Sequence, residues 1–386
     1  MRATRAFIHL DHLRENIALV REKTGRAVCM PVKADAYGHG ALMVAKAALA
    51  AGVQHLAVAT VGEGTGLRRG GVDAPVMLLS IPLPEEIKQL AASDLEPLAG
   101  DEEYIDALEQ EASRTGKQIR IHLKIDTGMG RIGCRPAQAP AMACRIAKSK
   151  NLVLAGTATH LAVSDSLAPG DRAFTKKQIG AFYTAVEAIK AVGVDPGLIH
   201  AANTGAVTFY KNAWFDMVRP GILLYGYAPA DKSGNAALGV KPLMELVSSV
   251  VFIKSVRRGE TVSYGRTWKA KTGTIIGTIP LGYADGLSRG LSNKWRILAG
   301  DTLRPLAGRI CMDQCMVDLG QDSGLHRWDR VTIFGGKAPH AGTMASLVGT
   351  IPYEITCNIN KRVPRVYIDG PAVLKPGYTP SYSPAI

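Results

Sequence analysis

The chain has no apolar run near the ~20 residues that a membrane-spanning helix needs. It also has no cysteine framework. Cys29, Cys134, Cys144, Cys311, Cys315 and Cys357 are scattered over 386 residues with no C-x-x-C pair. That pattern excludes a disulfide scaffold and fits a reducing compartment. Aromatic residues are few, at 6%, but apolar residues reach 47% and charged residues 20%. Those are ordinary globular proportions, so a disordered, fibrous or coiled-coil chain is excluded. The opening segment MRATRAFIHLDHL lacks an apolar core of 7–15 residues. The expectation is therefore no secretory leader, and a cytoplasmic protein. No metal-ligand spacing stands out.

Charge is in excess on one side, with a net of +13, divided as +4 over residues 1–228 and +9 over residues 229–386. A basic half can attract nucleic acid, but no helix-turn-helix, zinc-finger or RNP pattern accompanies it. A site for small anions is the alternative use of that charge. No nucleic-acid partner and no membrane partner are expected.

The first ~225 residues alternate apolar or β-branched runs with stretches of helical spacing. The runs are 27–33, 55–60, 74–80, 95–99, 119–126, 152–160, 198–202 and 216–219. Between them, 11–23 places Leu13, Ile17 and Val20 on one face with Asp11 as N-cap, and 101–114 and 171–192 have the same character. Eight strand–helix units imply parallel pairing with right-handed crossovers. They fit a closed (β/α)8 barrel better than the alternative, an open doubly wound sheet. Near residue 228 the texture changes. Segment 228–239 (APADKSGNAALG) reads as a connection, and strand-like runs follow at 243–256, 274–280, 295–298 and 330–334. The expected class is α/β: a barrel over 1–228, a mostly-β domain over 229–370, and an extended tail over 371–386 with prolines at 371, 376, 380 and 384.

The sharpest chemical signal is VKADAYGHG at 32–40. Lys33 closes an apolar strand at its C-terminal end, where barrel enzymes place reactive groups. Such a lysine is either a rim residue reaching solvent or one that is used covalently, since its amine can condense with an aldehyde. Arg219 follows the last barrel run and is itself followed by Pro220-Gly221.

This motif strongly resembles the lysine motif of alanine racemases, pyridoxal-phosphate enzymes of fold type III. Collinear segments extend the resemblance over nearly the whole chain: KIDTGMGRIG (124–133), THLAVSD (159–165), HAANTGA (200–206), MVRPGILLYG (217–226), VSYGRTW (262–268), LGYADG (281–286), GRICMD (308–313) and IPYEI (351–355). The resemblance implies a barrel followed by a β domain. The activity it implies is interconversion of L- and D-alanine by two bases, Lys33 and Tyr264, supplying D-alanine for peptidoglycan. In the family pattern Lys33 binds pyridoxal 5'-phosphate. Tyr37, Asn203, Thr204, Gly221, Ile222 and Tyr353 match the residues that serve its phosphate, with threonine at 204 where the family often has serine. Arg219 matches the arginine that faces the pyridine nitrogen and keeps it unprotonated, which weakens the ring as an electron sink and limits transamination. His160 matches the link between Arg219 and Tyr264. By the same likeness Arg131 lies near the substrate carboxylate, and Lys124 beside it is a candidate for carbamylation. Met312 and Asp313 match residues that meet the substrate, and Tyr283 and Arg289 match those lining its entrance. A homodimer with shared active sites is implied too, Tyr264 and Met312 of one subunit completing the Lys33 site of the other. A broad-specificity or serine racemase, a fold-type III decarboxylase and a non-enzymatic pyridoxal-phosphate carrier are the alternatives.

Overall fold

The computed structural model describes residues 2–227, 229, 238–369 and the backbone of 372–373. Of the expected connection over 228–239 and the Pro-rich tail, most residues lie outside the described ones. The chain divides into two compact units, residues 13–241 and residues 1–12 with those from Pro242 onward. The first strand, β1 (Arg5–His9), therefore departs from the sequence-based boundary. It pairs antiparallel with β10 (Met244–Ser249) and parallel with β19 (Arg365–Asp369), both in the second unit. Its alternating burial, with Ala6 and Ile8 fully buried, suits a strand with one face on that unit's core.

The barrel strands are β2 (Ala27–Pro31), β3 (His55–Val58), β4 (Val76–Leu78), β5 (Leu95–Ala99), β6 (Ile119–Lys124), β7 (Leu152–Ala158), β8 (Leu198–His200) and β9 (Met217–Val218). All pair in parallel in the order β8-β7-β6-β5-β4-β3-β2-β9. The Asp216 N–H donates to Ile199 O (3.0 Å) and the Arg219 N–H to Ala202 O (2.7 Å), which joins the two end strands. All eight expected runs are present as strands. Cys29, Ala57, Met77, Leu98, Ala158 and Met217 pack together from six of them, so the interior is filled by small and flexible side chains.

Local chemistry sets the intervening helices. Helix Glu102–Thr115 starts at Asp101, whose carboxylate accepts the Tyr104 N–H (2.8 Å), and stops at Gly116 with φ 66°. Helix Leu10–Thr24 buries Leu13, Ile17 and Val20 as expected. It begins one residue before Asp11, so Asp11 stands in the first turn rather than at the cap.

In the second unit, a seven-stranded sheet runs β16-β15-β18-β10-β1-β19-β20, beside a three-stranded sheet β11-β14-β17 and a hairpin β12-β13. These strands are β11 (Phe252–Val256), β12 (Thr261–Val262), β13 (Trp268–Lys269), β14 (Thr274–Ile279), β15 (Arg296–Ala299), β16 (Thr302–Pro305), β17 (Cys315–Gly320), β18 (Arg330–Phe334) and β20 (Ala372–Val373). The expected run 243–256 is two strands in different sheets, β10 and β11. Helices Ala341–Val348 and Pro352–Cys357 complete this unit.

Candidate active site

Lys33 leaves the C-terminal end of β2 at the start of a turn, Lys33–Gly38, that is wound left-handed. Ala34, Asp35, Ala36 and Tyr37 have φ of 50–54° and ψ of 41–50°. None is glycine, and left-handed backbone costs L-residues about 1–2 kcal/mol each. A dense set of contacts offsets that strain. The Ala36 N–H donates to Val32 O (2.8 Å), and Asp35 Oδ1 accepts the Ala41 N–H (2.8 Å). The Glu63 carboxylate accepts the N–H of Ala34 (2.7 Å), Ala59 (2.8 Å) and Thr60 (3.2 Å). His39 Nδ1 lies 2.9 Å from Ala36 O, and the rings of Tyr37 and His39 both pack on Tyr225, whose hydroxyl donates to Pro31 O (2.8 Å). The sequence marks this segment as a turn, but with no glycine at 34–37 its handedness is not legible there.

Tyr37 reaches the turn after β9: a Cβ at Gly221 would stand 2.9 Å from its hydroxyl oxygen. Thr204 Oγ1 accepts the Leu223 N–H at 3.4 Å, which brings helix Thr204–Phe209 to the same place. Tyr37, Thr204, Gly221 and Ile222 thus gather around a cradle that only glycine leaves open. Asn203 holds the start of that helix. Its Oδ1 caps the helix, accepting the Ala206 N–H (3.2 Å) and the Ser164 hydroxyl (2.6 Å), and its Nδ2 donates to Leu161 O (3.0 Å).

Arg219 is buried, and its guanidinium donates to Thr159 O (2.7 Å), Ala201 O (3.3 Å) and His200 Nδ1 (2.5 Å). Burial lowers it to about 10, still a cation at neutral pH. Its side-chain partner is thus His200, a residue for which the sequence motifs suggest no role. His200 Nε2 lies 2.9 Å from His122 Nδ1, and His122 Nε2 lies 3.0 Å from Glu96 Oε2. Neither His122 nor Glu96 belongs to a signature short enough to notice, since they stand on different strands and meet only inside the barrel.

Lys124 is 3% exposed and donates from Nζ to Ile125 O (3.0 Å). Burial, then the charge of Arg219, push it down to about 8, with Arg131 adding to the effect and Asp126 opposing it. Asp126 accepts the N–H groups of Gly128, Met129 and Gly130, so it holds the loop that leads to Arg131. His160 is pushed down to about 3 by burial and then by Arg219, Arg131, Lys124 and Lys33. Four cationic side chains therefore bear on one imidazole. That concentration of positive charge, with Asp126 as a nearby acid, is chemistry for anionic ligands.

The remaining expected residues lie in the β unit. Tyr264 is 70% exposed on a short turn flanked by Ser263 and Gly265, each with φ 69°. Ser263 Oγ donates to Arg309 O (2.6 Å) and lies 3.5 Å from Cys311 Sγ. The N–H of Tyr283 donates to Cys311 O (3.0 Å), and that of Ala284 to Met312 O (3.0 Å), so Tyr264, Met312 and Tyr283 sit on neighbouring segments. The Asp313 carboxylate accepts from Arg362 Nη2 (2.7 Å), which makes it a partner of that arginine within its own unit. Arg289 is exposed on the turn Arg289–Leu291, and Tyr353 lies on helix Pro352–Cys357.

Residues 8–229 match the family model described as alanine racemase, N-terminal domain, and residues 243–367 match alanine racemase, C-terminal domain. A parallel eight-stranded barrel followed by a mostly-β unit is the fold of the solved alanine racemases that this chain matches. The chain belongs to the alanine racemase family, a family of isomerases. It is 51% identical over 377 residues to an alanine racemase of Treponema denticola, covering 96% of this chain and 99% of that one. Among solved structures, an alanine racemase of Clostridium difficile 630 superposes with a TM-score of 0.92 at 32% identity, covering 97% of this chain and 98% of that one. One from Bacillus anthracis, with bound L-Ala-P, gives a TM-score of 0.89 at 32% identity and covers 97% of each chain.

Proposed function

We propose that the protein interconverts L- and D-alanine in the cytoplasm with pyridoxal 5'-phosphate held at Lys33, supplying D-alanine for peptidoglycan. The observation that carries this reading is the lysine end of the barrel, where Lys33 follows β2, buried Arg219 follows β9 and the Tyr37 hydroxyl closes on Gly221. The residues fit the cofactor. An amine at 33 can hold its aldehyde carbon, the cradle of Tyr37, Thr204, Gly221 and Ile222 suits a phosphate, and Arg219 offers a donor that stays charged beside a ring nitrogen. Among the described residues no helix is long and apolar enough to cross a membrane.

When bound, pyridoxal phosphate acidifies the Cα–H of the amino acid by drawing electrons from that carbon. The chain's own groups then handle the proton. Lys33 takes or returns it at one face of Cα and Tyr264 at the other, so neither base has to cross the plane between them. Arg131 draws in the substrate carboxylate. Lys124, lowered to about 8, has a neutral fraction at physiological pH that can add CO2, its nitrogen bonding to carbon as one N–H proton leaves, and the resulting anion steadies Arg131. Tyr264, Tyr283 and Met312, all exposed, are the surface through which a second subunit completes the site.

The test is chiral analysis of L-alanine incubated with the purified, cofactor-loaded protein, beside borohydride reduction and peptide mapping. The expected result is D-alanine, with the reduced cofactor on the peptide carrying Lys33. A label on another lysine, or no racemisation of alanine, overturns the reading. Racemisation of serine, lysine or arginine as fast as alanine replaces it with the broad-specificity alternative.

A further inference from the structure

Glu96, Arg120, His122, His200 and Arg219 form one hydrogen-bonded line through the barrel. Its links are Arg219 Nη1 to His200 Nδ1 at 2.5 Å, His200 Nε2 to His122 Nδ1 at 2.9 Å, His122 Nε2 to Glu96 Oε2 at 3.0 Å, and Glu96 Oε1 to Arg120 Nε at 2.7 Å. Arg219 follows the C-terminal end of β9, whereas Arg120 stands near the N-terminal end of β6 and is half exposed. Because the strands are parallel, the line runs from the lysine end of the barrel to the opposite end. The two histidines are fully buried and Glu96 nearly so.

The donors allow one direction only. A guanidinium has no acceptor, so His200 Nδ1 must present its lone pair. The proton of His200 is then on Nε2 and is donated to His122 Nδ1. That leaves the proton of His122 on Nε2, donated to the Glu96 carboxylate. Both histidines are neutral, with the same tautomer, between a cation and an anion. The energetics agree with the geometry. Burial and the charge of Arg219 hold His200 well below its ordinary value. Burial pushes Glu96 up, but the hydrogen bonds from His122 and Arg120 and the charge of Arg120 oppose it and hold the carboxyl below its ordinary value. The line also has room made for it: a Cβ at Gly156 on β7 would stand 2.4 Å from His122 Nδ1.

We propose that Glu96 is a positioning residue for Arg219, fixing the protons of His122 and His200 so that the guanidinium is set in place before any ligand arrives. With His200, Thr159 and Ala201 as partners, three of the five guanidinium donors are committed, and those left over point in a predetermined direction. If Glu96 could donate instead of accept, His122 could reverse, its Nδ1–H would face His200, and His200 would turn an N–H on Arg219. Like donors would then oppose each other at the cofactor's end of the line. The functional part of this proposal rests on the racemase reading; the proton arrangement does not.

The experiment uses the cofactor-loaded protein labelled with 15N-histidine. The wild type is expected to show two buried neutral imidazoles, His122 and His200, each protonated at Nε2 and hydrogen-bonded. Assignment comes from His122→Phe and His200→Phe. A charged His200, or a proton on its Nδ1, overturns the proposal whatever the activity. In Glu96→Gln the His122 and His200 resonances are expected to shift together, the absorption band of the bound cofactor to move, and kcat to fall roughly tenfold or more with less than a twofold change in KM for alanine. Glu96→Asp should recover part of each change. In an Arg219→Lys background Glu96→Gln should add little further loss, because its effect passes through Arg219. Full additivity in that background, or an unchanged cofactor band with the two imidazoles shifted, overturns the link to Arg219. If the wild type fails to racemise alanine while the imidazoles are as described, the functional reading fails and the hydrogen-bond line stands.

Discussion

The Glu63 carboxylate lies 2.7 Å from the backbone nitrogen of Ala34 and accepts its N–H, the first after Lys33. The same carboxylate caps its own helix through Ala59 and Thr60, so one side chain ties the left-handed turn to a neighbouring element. Glu63→Ala removes the acceptor for all three N–H groups, and Glu63→Gln keeps one oxygen. Loss of stability by about 1–3 kcal/mol is expected for alanine, and less for glutamine. The rate should fall roughly tenfold in the alanine variant, since the reactive amine loses its fixed position. Urea unfolding and steady-state kinetics check both; an alanine variant unchanged in either respect removes Glu63 from this role.

Two bases on opposite faces predict unequal half-reactions. Tyr264→Phe keeps the ring but removes the phenol, so the cofactor should still bind. Both overall directions slow together, because the equilibrium fixes their ratio. With α-deuterated substrates in a single turnover, loss of the deuteron from L-alanine should drop far more than loss from D-alanine, which the proposed mechanism assigns to Lys33. An equal drop for both isomers, with the cofactor still bound, would remove Tyr264 as a face-specific base.

A site shared across a two-fold axis predicts complementation. Lys33→Ala and Tyr264→Ala chains are each expected to be inactive alone. In a freely exchanged equal mixture, half the dimers are hybrids and each hybrid has one intact site, so about a quarter of wild-type activity should return. No recovery in a mixture whose subunit exchange is confirmed by mass spectrometry would place both bases in one chain.

Lys124 makes a prediction about CO2 and pH. Its value of about 8 means that the neutral, nucleophilic amine gains ground as pH rises through 8 and is lost below it. At fixed dissolved 13CO2, a protein-bound carbamate signal in the 13C spectrum should grow between pH 7 and 9. It should be absent in Lys124→Arg, whose guanidinium stays protonated. A signal that survives in Lys124→Arg would belong to another amine.

Much of the architecture is legible from periodicity alone. Eight short, mostly apolar runs, separated by amphipathic helices, bury their surfaces and satisfy their backbones by parallel pairing under helical cover. Lys33 and Arg219 could likewise be placed, because the end of a strand is a local feature. Features that depend on residues far apart could not be read so. β1 precedes the barrel in sequence, yet its partners are Met244–Ser249 and Arg365–Asp369, and no local signal names them. The left-handed turn at 34–37 contains no glycine and is held from outside by Glu63 and Tyr225.

The inward line from Arg219 to Glu96 shows the division most clearly. Glu96, His122 and His200 are separate polar residues in apolar strands, and each alone reads as a buried side chain with some partner. Strand order brings them into one interior. Burial then requires that every donor meet an acceptor, and that requirement sets their protons. The sequence by itself determined the strands, the lysine at a strand end and the β character of the second half. Only the tertiary structure decided which polar groups face one another inside the barrel, because that depends on how strands distant in the chain are ordered around it.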